Sequence, residues 1–223
     1  MLRSDSVQIK FCGLRTNYDI VVCQDADYLG FIVEVPEAER SLSLEKAARL
    51  IKYGKKFALT VAVITSLDKI PDICESARPD IIQIHTAINC NSNTLQEKLA
   101  SFKQKYALTI GLESKSIVNY WVLTHDLGSK AEYIVIEASK NGKIEGGQGN
   151  TRDWDKTTEI IRQYPNFDFF VAGGLNPTNV SKIISITRPT GIDISSGIEN
   201  SKGIKSPVLV QKIINQVRNK FVI

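Results

Sequence analysis

Cysteine is scarce. The 223 residues hold four, Cys12, Cys23, Cys74 and Cys90, and none stands in a C-x-x-C spacing. Neither a zinc centre nor a disulfide framework is expected from that pattern, and metal chemistry is not expected. Long apolar runs are missing too, since none approaches the roughly 18–20 residues of a membrane-spanning helix. The opening Met1-Leu2-Arg3-Ser4-Asp5-Ser6 lacks the apolar segment of a secretory signal. A cytoplasmic protein with no membrane partner is therefore expected. No Pro/Gly/Ser-rich linker interrupts the chain, and 1–223 is read as one domain. Charge of a single sign is absent as well: 28 Lys and Arg stand against 24 acids, a formal +4. The basic residues are scattered, the densest stretch being Lys52-Tyr53-Gly54-Lys55-Lys56. This pattern suits a solvated surface and a small anionic substrate better than nucleic acid. What is present, 43% apolar and 23% charged residues, is ordinary globular composition and excludes disorder, collagen and coiled coil.

Short β-rich runs recur at Val7–Phe11, Tyr28–Val33, Phe57–Val63, Asp80–Ile84, Ala107–Gly111, Glu132–Ile136, Asp168–Ala172 and Gly191–Ile194. Helical patterns lie between them. Ser43 reads as an N-cap ahead of the stripe Ala47, Ala48, Leu50 and Ile51, and Ser66 precedes Leu67, Ile70 and Ile73. Asn176-Pro177 and Ser206-Pro207 each place proline at a first helical position. The strand runs are continuously apolar, as required when both faces of a parallel sheet are covered. Eight strand–helix units of about 28 residues predict an α/β fold, a (β/α)8 TIM barrel. Chemistry in that fold gathers past the C-terminal strand ends. The residues there are Cys12-Gly13, Arg40, His85, Glu113, Glu137, Gly173-Gly174 and Ser195-Ser196-Gly197. The long connection from Glu137 to Arg152 is placed on the same face, as a possible lid.

Two of these loops have phosphate-binding character. Gly173-Gly174 follows the seventh strand and leads to a helix start, and Ser196-Gly197 follows the eighth. Glycine lets backbone N–H groups approach phosphate oxygens, helix N-termini add favourable dipoles, and barrels often hold phosphate at this place. Gly146-Gly147-Gln148-Gly149 offers further donors or a hinge.

At these residues the chain resembles the phosphoribosylanthranilate isomerase family. The resemblance is carried by Lys10-Phe11-Cys12-Gly13-Leu14 with Thr16, Gly30-Phe31, Arg40 with Ser43, Gln83-Ile84-His85, Gly146-Gly147 with Gly149, and Asp153-Trp154. It continues through Gly173-Gly174-Leu175-Asn176-Pro177 with Asn179-Val180, Arg188-Pro189, and Asp193-Ile194-Ser195-Ser196-Gly197-Ile198-Glu199. It implies an Amadori rearrangement of an aldosylamine carrying a ribose phosphate and an anthranilate carboxylate, with no metal and no organic cofactor. The partner is then a small-molecule phosphosugar, handled by a monomer or homodimer. By the same resemblance Cys12 is the general base and Arg40 binds the substrate carboxylate. Gly147, Gly173, Gly174, Ser196 and Gly197 take the phosphate, and Gln83, His85 and Asp193 orient their neighbours.

The chain also departs from the family. Glu137 is expected to be the catalytic general acid, standing where the family has an aspartate, and one extra methylene moves the carboxyl by roughly 1 Å, a displacement able to cost about 100-fold in rate. Thr86 follows His85 where glycine is usual, and Val61-Ala62-Val63-Ile64-Thr65 lacks the family's Phe and Asn. These changes flank the aromatic side of the ligand. They motivate an alternative, a non-catalytic or re-purposed phosphosugar-binding barrel with altered aromatic specificity. The two-carboxylate isomerase of histidine synthesis is opposed by Cys12 and Arg40.

Overall fold

The structure, a computed structural model, describes residues 6–85, 101, 104–112, 130–138, 151–201 and 203–218, with the backbone alone for 151–153. Its strands are β1 (Gln8–Phe11), β2 (Tyr28–Val33), β3 (Ser41–Leu42), β4 (Leu59–Ile64), β5 (Ile81–Ile84), β6 (Tyr106–Gly111), β7 (Ile134–Glu137), β8 (Phe169–Ala172) and β9 (Gly191–Ile194). All pair in parallel, in the order β1-β9-β8-β7-β6-β5-β4-β2, and a β1–β2 pairing closes the ring into an eight-stranded barrel. The two-residue β3 lies outside the ring, on the end of β2. Every expected strand is present, with ends displaced by at most two residues. The sixth run ends at Glu137 rather than Ile136, because Glu137 still pairs with Gly111 on one side and Ala172 on the other.

Alternation along each strand makes two cores. Outward residues such as Ile9, Phe11, Leu29, Phe31, Ile82 and Ile192 pack under the helices. Inward residues, among them Tyr28, Val61, Val63, Ile81, Ala107, Tyr133, Val135 and Phe170, fill the barrel. Three aromatic rings form its floor. Tyr133 stacks on Phe170 with centroids 4.3 Å apart, and Tyr28 meets both edge-on at 5.5 Å. Gly191 is the residue that makes room, since a Cβ there would lie 2.5 Å from the Phe170 ring.

The helices fix the loops of the opposite end. In α1 (Asn17–Val22), Thr16 and Asp19 form a reciprocal capping box. In α2 (Leu44–Gly54), Ser43 Oγ accepts from Lys46 N–H at 3.4 Å, and Ala47, Leu50 and Ile51 are buried, as the apolar stripe predicts. A short 3-10 turn, Leu67–Lys69, follows Ser66 and leads into α3 (Ile70–Ser76), while α4 (Thr151–Gln163) precedes β8. Pro207 opens α6 (Pro207–Arg218), as expected. Pro177 does not open α5 (Val180–Thr187), which corrects the expectation. Asn179 Oδ1 accepts from Asn176 N–H at 2.9 Å and Asn176 Oδ1 from Thr178 N–H at 2.8 Å. Those bonds hold a side-chain-closed turn, and the helix starts only beyond it. Among the described residues no helix is long and apolar enough to cross a membrane. Thr86, Cys90, Glu113, Gly146, Gly147, Gly149 and the lid-like loop through 150 lie outside the described residues.

Candidate active site

Among the described residues, Cys12, His85 and Glu137 fall on inward-facing positions at the C-terminal strand ends. Cys12 is the first residue past β1, and its N–H donates to Ile194 O at 2.8 Å. Its sulfur tops the interior cluster and the residue is 8% exposed. Gly30 on β2 stands beside it, and a Cβ at that position would lie 2.9 Å from the sulfur. One pleat deeper on the same face, Lys10 is fully buried and its Nζ donates to Asp193 Oδ2 at 2.6 Å. Asp193 Oδ1 is buried with no hydrogen-bond partner among the described residues. Burial opposes the Lys10 ammonium, but the adjacent Asp193 carboxylate outweighs it and holds Lys10 charged above its ordinary range. For Cys12, burial pushes the thiol above its ordinary value; the charge of Lys10 pulls it down, Asp193 pushes it up and Lys205 again pulls it down.

The Lys10–Asp193 pair yields a test. Lys10→Met leaves a buried carboxylate alone, and unfolding in urea should show a loss of about 3–5 kcal/mol. Adding Asp193→Leu should recover most of it. Alkylation of Cys12 by iodoacetamide requires the thiolate. In the intact protein its rate should reach half-maximum above the pH of a free cysteine, and in the Lys10 variant higher still.

Across the mouth, β7 ends with Glu137 and β5 is followed by His85. Glu137 Oε2 lies 2.9 Å from His85 Nε2, with the side chains 26% and 20% exposed. They meet over β6, whose inward residue at this level, Gly111, has open space where a Cβ would be. Gln83, one pleat below His85, is buried. Its Nε2 donates to Thr109 Oγ1 at 3.0 Å and its Oε1 accepts from Tyr133 at 3.5 Å. The amide thus ties β5, β6 and β7 into one layer beneath the pair.

Arg40 closes the rim between β2 and the loop after β9. Its Nε and Nη2 donate to Glu199 Oε1 at 2.7 Å and Oε2 at 2.5 Å, a bidentate pair. Lys205 Nζ, itself buried, donates to Glu199 Oε1 at 2.8 Å and to Ser195 O at 3.0 Å. Burial raises the Glu199 carboxyl, but the hydrogen bonds from Arg40 and Lys205 outweigh it and hold Glu199 below its usual range. Gly13 has φ +74°, and a Cβ there would meet Arg40 Cδ at 2.6 Å and Ser195 Oγ at 2.9 Å.

The loops after β8 and β9 meet backbone to backbone. Gly173 and Gly174 adopt φ +100° and +70°, a left-handed conformation natural to glycine. Ser196–Ile198 forms a 3-10 turn. A Cβ on Gly197 would sit 1.8 Å from Leu175 O. Among the described residues, the N–H groups of Gly173, Gly174, Ser196 and Gly197 have no acceptor. Four unpaired donors on two adjoining loops constitute an anion cradle. In the ring order the cradle, on β8 and β9, lies between Glu137 on β7 and Cys12 after β1.

Three functional neighbours escaped the sequence reading: Lys10, Glu199 and Lys205. Lys10 carried a usable signal, because its spacing of two from Cys12 on one strand places both on one face. Nothing local to Glu199 or Lys205 points to Arg40, which is 159 residues from Glu199.

Comparisons with known proteins agree with this fold. The family model of N-(5'-phosphoribosyl)anthranilate (PRA) isomerase matches residues 9–216. The N-(5'-phosphoribosyl)anthranilate isomerase of Parvibaculum lavamentivorans is 32% identical, covering 96% of this chain and 99% of its own. That of Chelativorans sp. is 30% identical over 95% and 96%. Among solved structures, phosphoribosyl anthranilate isomerase from Thermococcus kodakaraensis superposes with a TM-score of 0.76 at 23% identity, over 96% and 99% of the two chains. Another, in complex with reduced 1-(O-carboxyphenylamino)-1-deoxyribulose 5-phosphate, gives 0.73 at 21% identity over 96% and 99%.

Proposed function

The chain belongs to the N-(5'-phosphoribosyl)anthranilate isomerase family, and from that premise we propose how its barrel performs the reaction. The activity is the isomerisation of N-(5'-phosphoribosyl)anthranilate to 1-(2-carboxyphenylamino)-1-deoxyribulose 5-phosphate in tryptophan biosynthesis. The reading of the site is carried by one observation: Cys12 and Glu137 occupy inward positions at the same end of the barrel, with the anion cradle on the strands between them.

The phosphate docks on the N–H groups of Gly173, Gly174, Ser196 and Gly197, and Gly147 of the long loop adds to them. Opening the furanose ring needs a proton at the ring oxygen, and Glu137, hydrogen-bonded to His85, marks the acid side. The opened form is a protonated Schiff base whose C2–H is acidified. Cys12 removes that proton as the base, helped by the ammonium of Lys10 beneath it. Asp193 keeps Lys10 charged and in place, which is its orienting role. Arg40 receives the anthranilate carboxylate, which shares the guanidinium with Glu199 or displaces it. The enzyme works as a single cytoplasmic barrel, a monomer or homodimer, on a small phosphosugar.

The purified chain, mixed with freshly formed N-(5'-phosphoribosyl)anthranilate, should convert it with a change in anthranilate fluorescence, and the gene should restore growth of a tryptophan auxotroph lacking this isomerase. A folded, phosphate-binding protein that leaves the substrate untouched would sink the assignment.

A further inference from the structure

The His85–Glu137 pair is built differently from a lone carboxylic acid. Glu137 engages Nε2 of the imidazole at 2.9 Å, and Nδ1 has no hydrogen-bond partner among the described residues. His85 is 20% exposed at the barrel mouth, so one ring nitrogen is anchored and the other is available. The reach of a glutamate, passing over the empty position of Gly111, makes the contact. A carboxylate on one imidazole nitrogen orients the ring and favours its protonated form, leaving the second N–H to act on a substrate. An imidazole holds a proton near neutral pH, whereas a carboxyl in water, titrating near about 4.3, has lost it.

Resting on the isomerase reading above, we propose that His85 delivers the proton to the furanose ring oxygen through Nδ1, and that Glu137 is the carboxylate that aims its ring. The proton leaves Nδ1 for the ring oxygen as the C1–O bond breaks and its electron pair goes to that oxygen. The lone pair of the anilino nitrogen closes the C=N bond of the cationic Schiff base. Cys12 thiolate then takes the C2 proton, and the electrons of that C–H bond form the C1=C2 enamine and neutralise the nitrogen. Tautomerisation moves the enol proton to C1 and leaves a ketone at C2. The thiol and the imidazole reset by one proton, lost from sulfur to solvent and regained by the ring.

Other titratable or charged groups of the interior and rim, among the described residues, are Lys10 and Cys12 beside β1, Tyr28 on β2, Tyr133 before β7 and Asp193 on β9. Beyond them stand Arg40, Glu199 and Lys205 in the loops, and Glu34 with Lys69 above β2 and β4. The fixed charges are mutually paired: Lys10 with Asp193, Arg40 and Lys205 with Glu199, and Lys69 with Glu34 at 3.9 Å. The imidazole is thus the group of the acid side able to change charge between pH 5 and 8.

The test uses the full chain, His85→Asn and Glu137→Gln, with kcat/KM measured from pH 5 to 8.5. If His85 is the donor, His85→Asn leaves a carboxyl to act alone. The deficit should be larger at pH 7.5 than at pH 5, because an imidazole in general keeps its proton to higher pH than a carboxyl does. Glu137→Gln should lose about tenfold. In 15N-histidine spectra, where His85 and His125 are the two signals, it should also move the Nε2 signal of His85, the nitrogen that Glu137 engages. A deficit of His85→Asn equal at every pH, or a Glu137→Gln variant that is dead while His85→Asn is mildly affected, overturns the proposal. An unmoved His85 Nε2 signal does so without reference to turnover. Absence of activity in the intact protein would instead refute the isomerase reading itself, so the two failures are distinct.

Discussion

Cys12→Ala should lower kcat by about 10²–10⁴-fold, the range that a positioned proton acceptor contributes. The substitution removes one atom from a site already closed by its neighbours, with Gly30 pressed against the sulfur and the interior cluster packed below. Thermal unfolding should therefore change little, because a buried thiol behaves as a small apolar group. Binding of a reduced, unreactive product analogue should also be retained, since the proposed phosphate and carboxylate contacts lie elsewhere. The expected signature is a fall in kcat with analogue affinity preserved. Unchanged turnover in the folded variant would transfer the base role to another group and leave the thiol as packing.

Gly197→Ala should raise KM by about 100-fold and weaken inhibition by inorganic phosphate equally, with kcat much less affected. A methyl group there meets Leu175 O at 1.8 Å, Leu175 C at 2.8 Å and Asn176 Cα at 3.1 Å. All three are backbone atoms, and no rotamer can relieve the overlap. The loops after β8 and β9 have to part, and displacements near 1 Å are enough for losses of this size. Stability should also fall by about 1–3 kcal/mol, as for overpacked sites. Steady-state kinetics with a parallel phosphate titration separates the two effects. An unaltered KM would place the anion away from these loops.

The barrel was legible because its signal repeats. Each continuous apolar run, such as Tyr28–Val33 or Gly191–Ile194, predicts a strand covered on both faces, and both are found with those ends. Gly173 and Gly174 adopt positive φ, a conformation natural to glycine at a tight turn. Pro177 misled because two asparagine side chains compete for the backbone donors that a helix start would otherwise use. Arg40 was readable as a fork for a carboxylate, but not its engagement by Glu199, because pairing across 159 residues is decided by the closure of the ring. The meeting of His85 and Glu137 depends on a missing side chain at Gly111 on the strand between them. An empty position leaves no pattern of its own.

The aromatic floor of Tyr28, Tyr133 and Phe170 makes the barrel a cup rather than a tube. The end opposite this floor is the one on which the proposed site lies. A docked phosphosugar is therefore also the cork. In the proposed mechanism, expelling the solvent above Cys12 lowers the local dielectric and strengthens the attraction between the Lys10 ammonium and a nascent thiolate. The substrate completes the electrostatic environment that acts on it.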